Sequence, residues 1–176
     1  MKRFISGFFA SLLLFVVLYS VLSIRPYRVS GDSMNPYLQR EQIVIVDRIS
    51  RHFYPLHRSE VVVYSDITDR SEKYKIKRLI GLPSDTIKIS DGKIWVNSQE
   101  LEERYLTEHV RTCLPGSCID LSPYDYSVPG DAYFVLGDNR ENSIDSRGCS
   151  DPTLCDRTKV RYVPQNEIIG RVVFSF

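Results

Sequence analysis

The pattern of apolar and polar positions begins with one long apolar run. Residues 4–24 carry no charged side chain, and basic residues stand on both sides of them. A helix of this length rises about 30 Å, which matches the hydrocarbon core of a bilayer. We therefore expect residues 1–25 to form one transmembrane helix. A cleaved signal peptide is the alternative, although cleavable apolar cores are typically shorter, about 7–15 residues.

Short apolar runs follow and predict β-strands. Residues 42–46 and 60–64 are continuous β-branched runs, as in strands that are covered on both faces. Residues 86–89 and 94–97 flank a Ser-Asp-Gly-Lys turn and predict a tight hairpin. Further strands are expected over 74–83, 132–136 and 167–176, loops over 49–58 and 113–127, and a short helical or irregular link over 100–110. Residues 26–176 are therefore expected to form one mainly β domain.

The composition narrows the choice of partner. The chain has 23 basic and 22 acidic residues, which give a net charge of +1. This balance provides no electrostatic reason to expect a nucleic-acid partner.

Four cysteines form two close pairs, Cys113 with Cys118 and Cys149 with Cys155. Neither spacing is C-x-x-C, and no histidine stands beside them, so a zinc site has little support. Four cysteines allow three pairings. If the domain lies outside the cytoplasm, we expect a local disulfide within each pair, and free thiols in two loops are the alternative.

A candidate nucleophile follows the apolar run, in the segment Ser30-Gly31-Asp32-Ser33-Met34-Asn35-Pro36. Glycine and proline restrict this segment to a turn that presents the hydroxyl of Ser33. The same residue types also form ordinary loops. The candidate therefore depends on a base elsewhere in the chain.

The candidate base is a lysine. His52, His57 and His109 lie in no recognisable motif, so the usual histidine base has no support. Lys77 lies among apolar residues, and burial can lower the pKa of a lysine from about 10.4 by about 3–5 units. A surface lysine that extends its amine into water is the alternative.

Three separate motifs resemble those of type I signal peptidases, the membrane-bound Ser/Lys enzymes that remove signal peptides. They are the Ser33 loop, the segment Lys77-Arg78-Leu79-Ile80-Gly81-Leu82-Pro83, and the polar box Gly137-Asp138-Asn139-Arg140-Glu141-Asn142-Ser143-Ile144-Asp145-Ser146-Arg147. The resemblance extends from residue 30 to residue 176. It implies a folded-over β-sheet catalytic domain after one N-terminal transmembrane helix. It also implies serine endopeptidase activity with no cofactor and no metal.

The resemblance implies a role for each matching residue. Ser33 matches the nucleophile and Lys77 the general base, while Ser143 matches the serine that orients the lysine amine. Asp145 with Arg147, and Asp138 with Arg78, match two ion pairs that hold the site. Three apolar residues match the walls of the pockets for small substrate side chains: Met34, Leu38 and Ile76.

The chain departs from the family pattern at three places. Gly31 stands where many Gram-negative members have a serine that helps the oxyanion hole, so the second oxyanion donor is left unassigned. Ser84 stands where the family usually has glycine. Residues 149–155 form an insertion with no assigned role.

The resemblance places the protein in the bacterial inner membrane, with the N-terminus in the cytoplasm and the catalytic domain on the outer, periplasmic side. Its partners are then the lipid bilayer and signal-peptide-bearing pre-proteins. Three alternatives remain: a specialised signal peptidase for plasmid-transfer or pilus proteins, a self-cleaving repressor-like Ser/Lys protease, and a non-enzymatic membrane-tethered β module.

Overall fold

The computed structural model describes residues 2–66, 73–107, 110–112, 124–148 and 160–176. It begins with one α-helix, α1, at Lys2–Ser23, and short 3₁₀ helices lie at Ser50–His52 and Gln165–Glu167. The strands are β1 Ile24–Arg28, β2 Ile43–Asp47, β3 Val61–Ser65, β4 Tyr74–Gly81, β5 Thr86–Ser90, β6 Lys93–Val96, β7 Gln99–Glu100, β8 Tyr124–Ser127, β9 Ala132–Leu136, β10 Val163–Pro164 and β11 Ile168–Ser175.

The strands form two antiparallel sheets. The larger has seven strands in the order β1-β2-β11-β3-β4-β9-β10, and the smaller has four in the order β7-β6-β5-β8. The predicted mainly β fold class is therefore confirmed. Strand β4 pairs with β3 from Tyr74 to Arg78 and with β9 only from Arg78 onward.

The predicted hairpin is confirmed as β5 and β6. Ser90 pairs with Lys93, and the two residues between them adopt positive φ angles, 56° at Asp91 and 76° at Gly92. Such a turn requires positive φ at both central positions, which is why an Asp-Gly pair occurs there.

Most of the other predicted strands are present, and the structure differs from the predicted pattern at three places. Strand β3 is buried along Val61–Tyr64, as expected, but β2 alternates between half-buried and buried residues, so full coverage of β2 is wrong. The expected loop over 113–127 is wrong at its end, where Tyr124–Ser127 forms β8 beside β5. Strand β1 was not predicted, and its proline is tolerated because β1 lies at the edge of the sheet.

Three apolar clusters form the core. One joins the two sheets through Ile87, Ile94 and Phe134. A second lies under the Ser33 loop and includes Met34 and Leu38, and a third surrounds Leu79 of β4. Strand β4 therefore runs between buried clusters, which fixes the side chains that it carries.

The structure does not confirm the predicted membrane anchor. In the part of the chain that the structure describes, no helix has both the length and the apolar character that a membrane span requires. The boundary between an anchor at 1–25 and a domain at 26–176 therefore stays a prediction.

The predicted disulfides fall on residues that the structure does not describe. All four of the residues proposed to form them lie outside the described ranges: Cys113, Cys118, Cys149 and Cys155. A bridge from Cys113 to Cys118 and a bridge from Cys149 to Cys155 therefore stay predictions, as does any role for the insertion after the polar box. His109 also lies outside the described residues.

Candidate active site

The candidate nucleophile and the candidate base lie in direct contact. Nζ of Lys77 is 2.5 Å from Oγ of Ser33, although 44 positions separate the two residues in sequence. Ser33 lies in the turn between β1 and β2, whereas Lys77 lies in β4 opposite Val62 of β3. Lys77 is only 4% exposed. The pair therefore combines a hydroxyl with an amine that is largely removed from water.

The Ser33 loop is held by packing against the core and by hydrogen bonds from the polar box. Met34 and Leu38 are buried in the core and anchor the loop. From the polar box, the backbone N–H of Asn139 donates to the carbonyl oxygen of Ser33 at 3.0 Å. The side-chain amide of Asn139 donates to the carbonyl oxygen of Asp32 at 3.1 Å. These bonds fix the backbone that carries the hydroxyl.

Gly137 brings the polar box against this loop. A Cβ at this position would overlap both the hydroxyl of Ser143 and the carbonyl oxygen of Ser33. The residue must therefore be glycine for the three groups to approach each other so closely. Ser143 itself is 2% exposed.

The hydroxyl of Ser143 makes no contact of the kind that the sequence predicted. Its Oγ is buried and has no hydrogen-bond partner among the described residues, so it does not bond the amine of Lys77 in this conformation. A buried unpaired hydroxyl is energetically unfavourable, and in native proteins it is exceptional. Its position beside Gly137 nevertheless brings it next to the Ser33 backbone.

The structure brings Asp145 and Arg147 together as a fully buried, bidentate ion pair. Nε and Nη2 of Arg147 donate to the two carboxylate oxygens of Asp145 at 2.9 and 2.8 Å. Burial alone raises the pKa of Asp145, but Arg147, the backbone N–H of Gly137 and the charge of Lys77 together hold it below its usual value. The carboxylate is therefore ionised, and Arg147 balances its charge beside the lysine.

The structure also brings Arg78 and Asp138 together. Nε and Nη2 of Arg78 donate to the two oxygens of Asp138 at 2.8 and 2.5 Å, and Nη1 donates to the carbonyl oxygen of Ser59 at 2.7 Å. The guanidinium lies between two rings, 4.6 Å from the centre of Tyr37 and 3.9 Å from that of Tyr105. This pair fixes β4 immediately beside the candidate base.

A second buried arginine, Arg140, was not singled out from the sequence. Its Nε donates to the carbonyl oxygen of Gly137 at 3.0 Å, and its other nitrogens contact Glu103 and Thr112. Burial alone lowers the pKa of Arg140, and the carboxylate of Glu103 more than offsets this and raises it. The only sequence signal was the place of Arg140 in the polar box, since Glu103 lies in no motif.

A groove leads to Ser33 between β1 and an edge of β4 that no other described strand covers from Tyr74 to Lys77. Met34 and Ile76 line it, and Tyr27 and Tyr74 contribute to its wall. Contact of Met34 and Ile76 with a substrate stays a prediction. Leu38 does not line the groove and instead lies in the buried cluster beneath the loop. The sequence could not separate a pocket wall from its support.

Two other sequence features have clear positions. His52 and His57 are exposed, and His57 lies beside Glu60, so neither enters the site. Ser84 has φ of 68°, the left-handed conformation for which glycine is favoured. The turn is therefore kept although the family residue is replaced. Within the described ranges, no cluster of three histidine, cysteine or acidic side chains is placed to hold a metal ion.

Comparisons with known proteins agree on one family. The family described as signal peptidase, peptidase S26, matches residues 1–176. Signal peptidase I U of Bacillus subtilis (strain 168) is 35% identical over 70% of this chain and 65% of its own length. Signal peptidase I of Leptolyngbya laminosa is 34% identical over 84% of this chain and 66% of its own length. Signal peptidase I V of Bacillus subtilis (strain 168) is 39% identical over 69% of this chain and 73% of its own length. The chain thus spans slightly less than two thirds of the first two relatives.

Proposed function

Because the chain belongs to the signal peptidase family, peptidase S26, we propose that it is a serine endopeptidase that removes signal peptides from exported pre-proteins. The observation that carries this proposal is the 2.5 Å contact between Nζ of Lys77 and Oγ of Ser33. A serine hydroxyl becomes an effective nucleophile when a base lies within hydrogen-bond distance. No comparable base is placed beside Ser33 among the described histidines.

The mechanism uses the two residues in turn. Neutral Lys77 takes the proton from Ser33 as the serine oxygen attacks the scissile carbonyl, and the resulting ammonium then protonates the leaving amine. The backbone N–H of Ser33 stabilises the oxyanion. Water, activated by the same amine, then hydrolyses the ester on Ser33 and restores the free enzyme.

For this mechanism the lysine must be neutral near working pH. A free lysine has a pKa of about 10.4, so neutrality at pH 7–8 requires about 4 kcal/mol, at 1.36 kcal/mol per unit. Burial of the side chain at 4% exposure disfavours the charged form. Asp145 would favour it, but its charge is balanced by the bidentate Arg147. A bound substrate would exclude the remaining water.

The remaining polar residues of the site are proposed to position this pair. Asp138 and Arg78 hold β4, and Asp145 and Arg147 hold the polar box against it. We assign to Ser143 the orientation of the amine during proton transfer. The hydroxyl is already buried beside Gly137 and lacks another partner among the described residues, so it is free to bond the ammonium when the amine moves.

The groove is proposed to bind the substrate as an extended strand. Tyr74–Lys77 of β4 pair only with β3 among the described strands, so their other edge is available for main-chain hydrogen bonds. Met34 and Ile76 would contact the small side chains at positions −1 and −3 of the substrate. Leu38 would support Met34 from the core.

We extend the proposal to α1 as a membrane anchor, with the N-terminus in the bacterial cytoplasm. Its 22 residues rise about 33 Å at 1.5 Å per residue. Large apolar side chains of α1 are exposed, including Phe8, Leu13 and Phe15. Lipid would cover them, whereas water would not. A mature protein whose measured mass begins at Ile24 or later would contradict the anchor.

Two local disulfides belong to the same proposal, one between Cys113 and Cys118 and one between Cys149 and Cys155. An extracytoplasmic domain lies in an oxidising compartment, which favours such bridges. Peptide mapping without reduction tests them. Four alkylatable thiols in protein from its native compartment would rule out both.

The specialised alternative, a signal peptidase for plasmid-transfer or pilus proteins, has no support among the relatives found. The function is tested by incubating the purified full chain with an exported pre-protein that has alanine at −1 and −3. We expect one cut after the −1 alanine, identified by N-terminal sequencing, and no cut with Ser33→Ala. Cleavage by Ser33→Ala at the wild-type rate would reject the nucleophile. Absence of cleavage by wild type across a panel of such pre-proteins would reject the activity.

A further inference from the structure

A second cavity lies away from the Ser33 groove and shares no residue with it. Its volume is about 390 Å³, within the range of small-molecule sites. Three of its residues are polar: Arg51, Tyr133 and Gln165. Its apolar walls include Leu56, Leu82 and Ile168.

Arg51 has an unusual environment for a cation. It is half-buried, and its Nε is buried without a hydrogen-bond partner among the described residues. No carboxylate is among the charges that act on Arg51, and the acidic residues on either side of its segment, Asp47 and Glu60, have other partners. Asp47 accepts the backbone N–H groups of Ile49 and Ser50, both at 3.0 Å, and Glu60 accepts from Arg171 at 2.9 Å. Arg51 thus lines the cavity as a cation with no salt bridge among the described residues.

The electrostatics of the cavity favour an anion. Burial, together with the charge of Arg48, lowers the pKa of Arg51, which means that the charged form of Arg51 is disfavoured in this environment. Burial and the negative charge of Glu60 raise the pKa of Tyr133 although Arg51 lowers it, so the hydroxyl stays protonated and able to donate. A bound anion would offset both the burial of the guanidinium and the repulsion between the two arginines.

We propose that this cavity binds an organic carboxylate with a compact apolar body. The planar guanidinium of Arg51 matches the two oxygens of a carboxylate, and such charge-assisted bonds are about twice as strong as bonds between neutral groups. Tyr133 and Gln165 supply further donors near the charged group. The apolar body packs against Leu56, Leu82 and Ile168. This site is separate from signal-peptide cleavage and does not depend on it.

The test is calorimetric titration of the purified full chain with 3-phenylpropanoate and with its neutral amide, 3-phenylpropanamide. The two probes have nearly the same shape and differ in charge. We expect the wild type to bind the carboxylate at least about tenfold more tightly than the amide, and Tyr133→Phe to weaken the carboxylate.

Arg51→Gln is expected to remove the preference, so that the two probes bind with equal affinity. The matched control is Arg104→Gln, which changes the same charge at an exposed arginine paired with Glu102. It should keep the wild-type preference. Arg51→Met is a second variant that removes the guanidinium with its buried unpaired Nε. It should lose the preference for the carboxylate in the same way. No saturable binding of the carboxylate to wild type, or an unchanged preference in Arg51→Gln or Arg51→Met, would overturn the proposal.

Discussion

Asn139 donates its backbone N–H to the carbonyl oxygen of Ser33 at 3.0 Å, so the polar box and the nucleophile loop form one unit. The same box carries Asp145, whose carboxylate accepts the backbone N–H of Gly137 at 3.0 Å. It also carries Asp138, which holds Arg78 beside Lys77. The box therefore positions both members of the candidate pair, although it supplies neither of them.

The first prediction concerns Gly137. Gly137→Ala adds a Cβ that overlaps the backbone oxygen of Ser33 and the hydroxyl of Ser143, so the nucleophile must move. A displacement of about 1 Å can reduce a rate about 100-fold, and we expect a loss of that order. Initial rates of pre-protein cleavage measure it.

The control is Gly130→Ala, whose Cβ would meet only the Ser84 hydroxyl, at 3.6 Å. Its activity should stay near that of wild type. Wild-type rates in a folded Gly137→Ala protein would show that the contact between the box and the loop does not position Ser33.

The pattern of apolar residues in the sequence predicted the strands whose side chains are buried. It did not predict the strands that join a sheet mainly through backbone hydrogen bonds. Strand β1, Ile24–Arg28, has mostly exposed side chains and joins the sheet through its pairing with β2. A strand of this kind has no apolar pattern to detect. Strand β8 has only four residues and begins directly after Pro123, so its sequence also gives only a weak indication of a strand.

The site could be predicted only through the family resemblance. Ser33 and Lys77 are 44 positions apart, and nothing in strand periodicity brings them together. The resemblance supplied that pair and both ion pairs of the site, but it gave no partner for Arg140. That arginine binds Glu103, 37 positions away in an irregular segment, and only the folded chain shows the contact.

The second prediction separates positioning from stability at two serines. Ser143→Ala removes a buried hydroxyl that has no partner among the described residues, so stability should not fall. If Ser143 orients the amine, the cleavage rate should fall about 10- to 100-fold. Urea unfolding and cleavage rates are measured on the same preparation.

Ser146→Ala is the matched change, because Oγ of Ser146 accepts the backbone N–H of Val135 at 2.9 Å. Removing this acceptor should destabilise the protein by about 1–3 kcal/mol. A Ser143→Ala protein that loses stability but cleaves at the wild-type rate would reverse the assigned roles.

The third prediction uses the lowered pKa of Asp145. Its folded pKa lies below the unfolded value of about 3.9, so its stabilisation is present at pH values above the unfolded pKa and is lost as pH falls through the folded pKa. Asp145→Asn should cost about 3–5 kcal/mol at pH 7, because it removes one partner of a fully buried ion pair. The difference from wild type should narrow as pH falls below about 4.

Urea unfolding at pH 7, 5 and 3 measures this difference. Asp125→Asn removes an exposed carboxylate and should change the free energy of unfolding by less than about 0.5 kcal/mol at pH 7. A difference for Asp145→Asn that stays constant from pH 7 to pH 3 would contradict the linkage.

The last prediction concerns the base itself. Lys77→Arg keeps a positive charge and a long side chain, but a guanidinium does not release its proton at working pH and cannot accept one from Ser33. Cleavage should therefore be abolished while the protein remains folded. Lys88→Arg makes the same chemical change at an exposed position on β5 and should leave the rate unchanged.

In the wild type, only the neutral amine of Lys77 accepts a proton, so kcat/KM should rise with pH until the ammonium is fully deprotonated. The rates are measured from pH 5 to pH 10 with a pre-protein substrate. Near wild-type cleavage by folded Lys77→Arg, or a rate independent of pH across that range, would exclude Lys77 as the base.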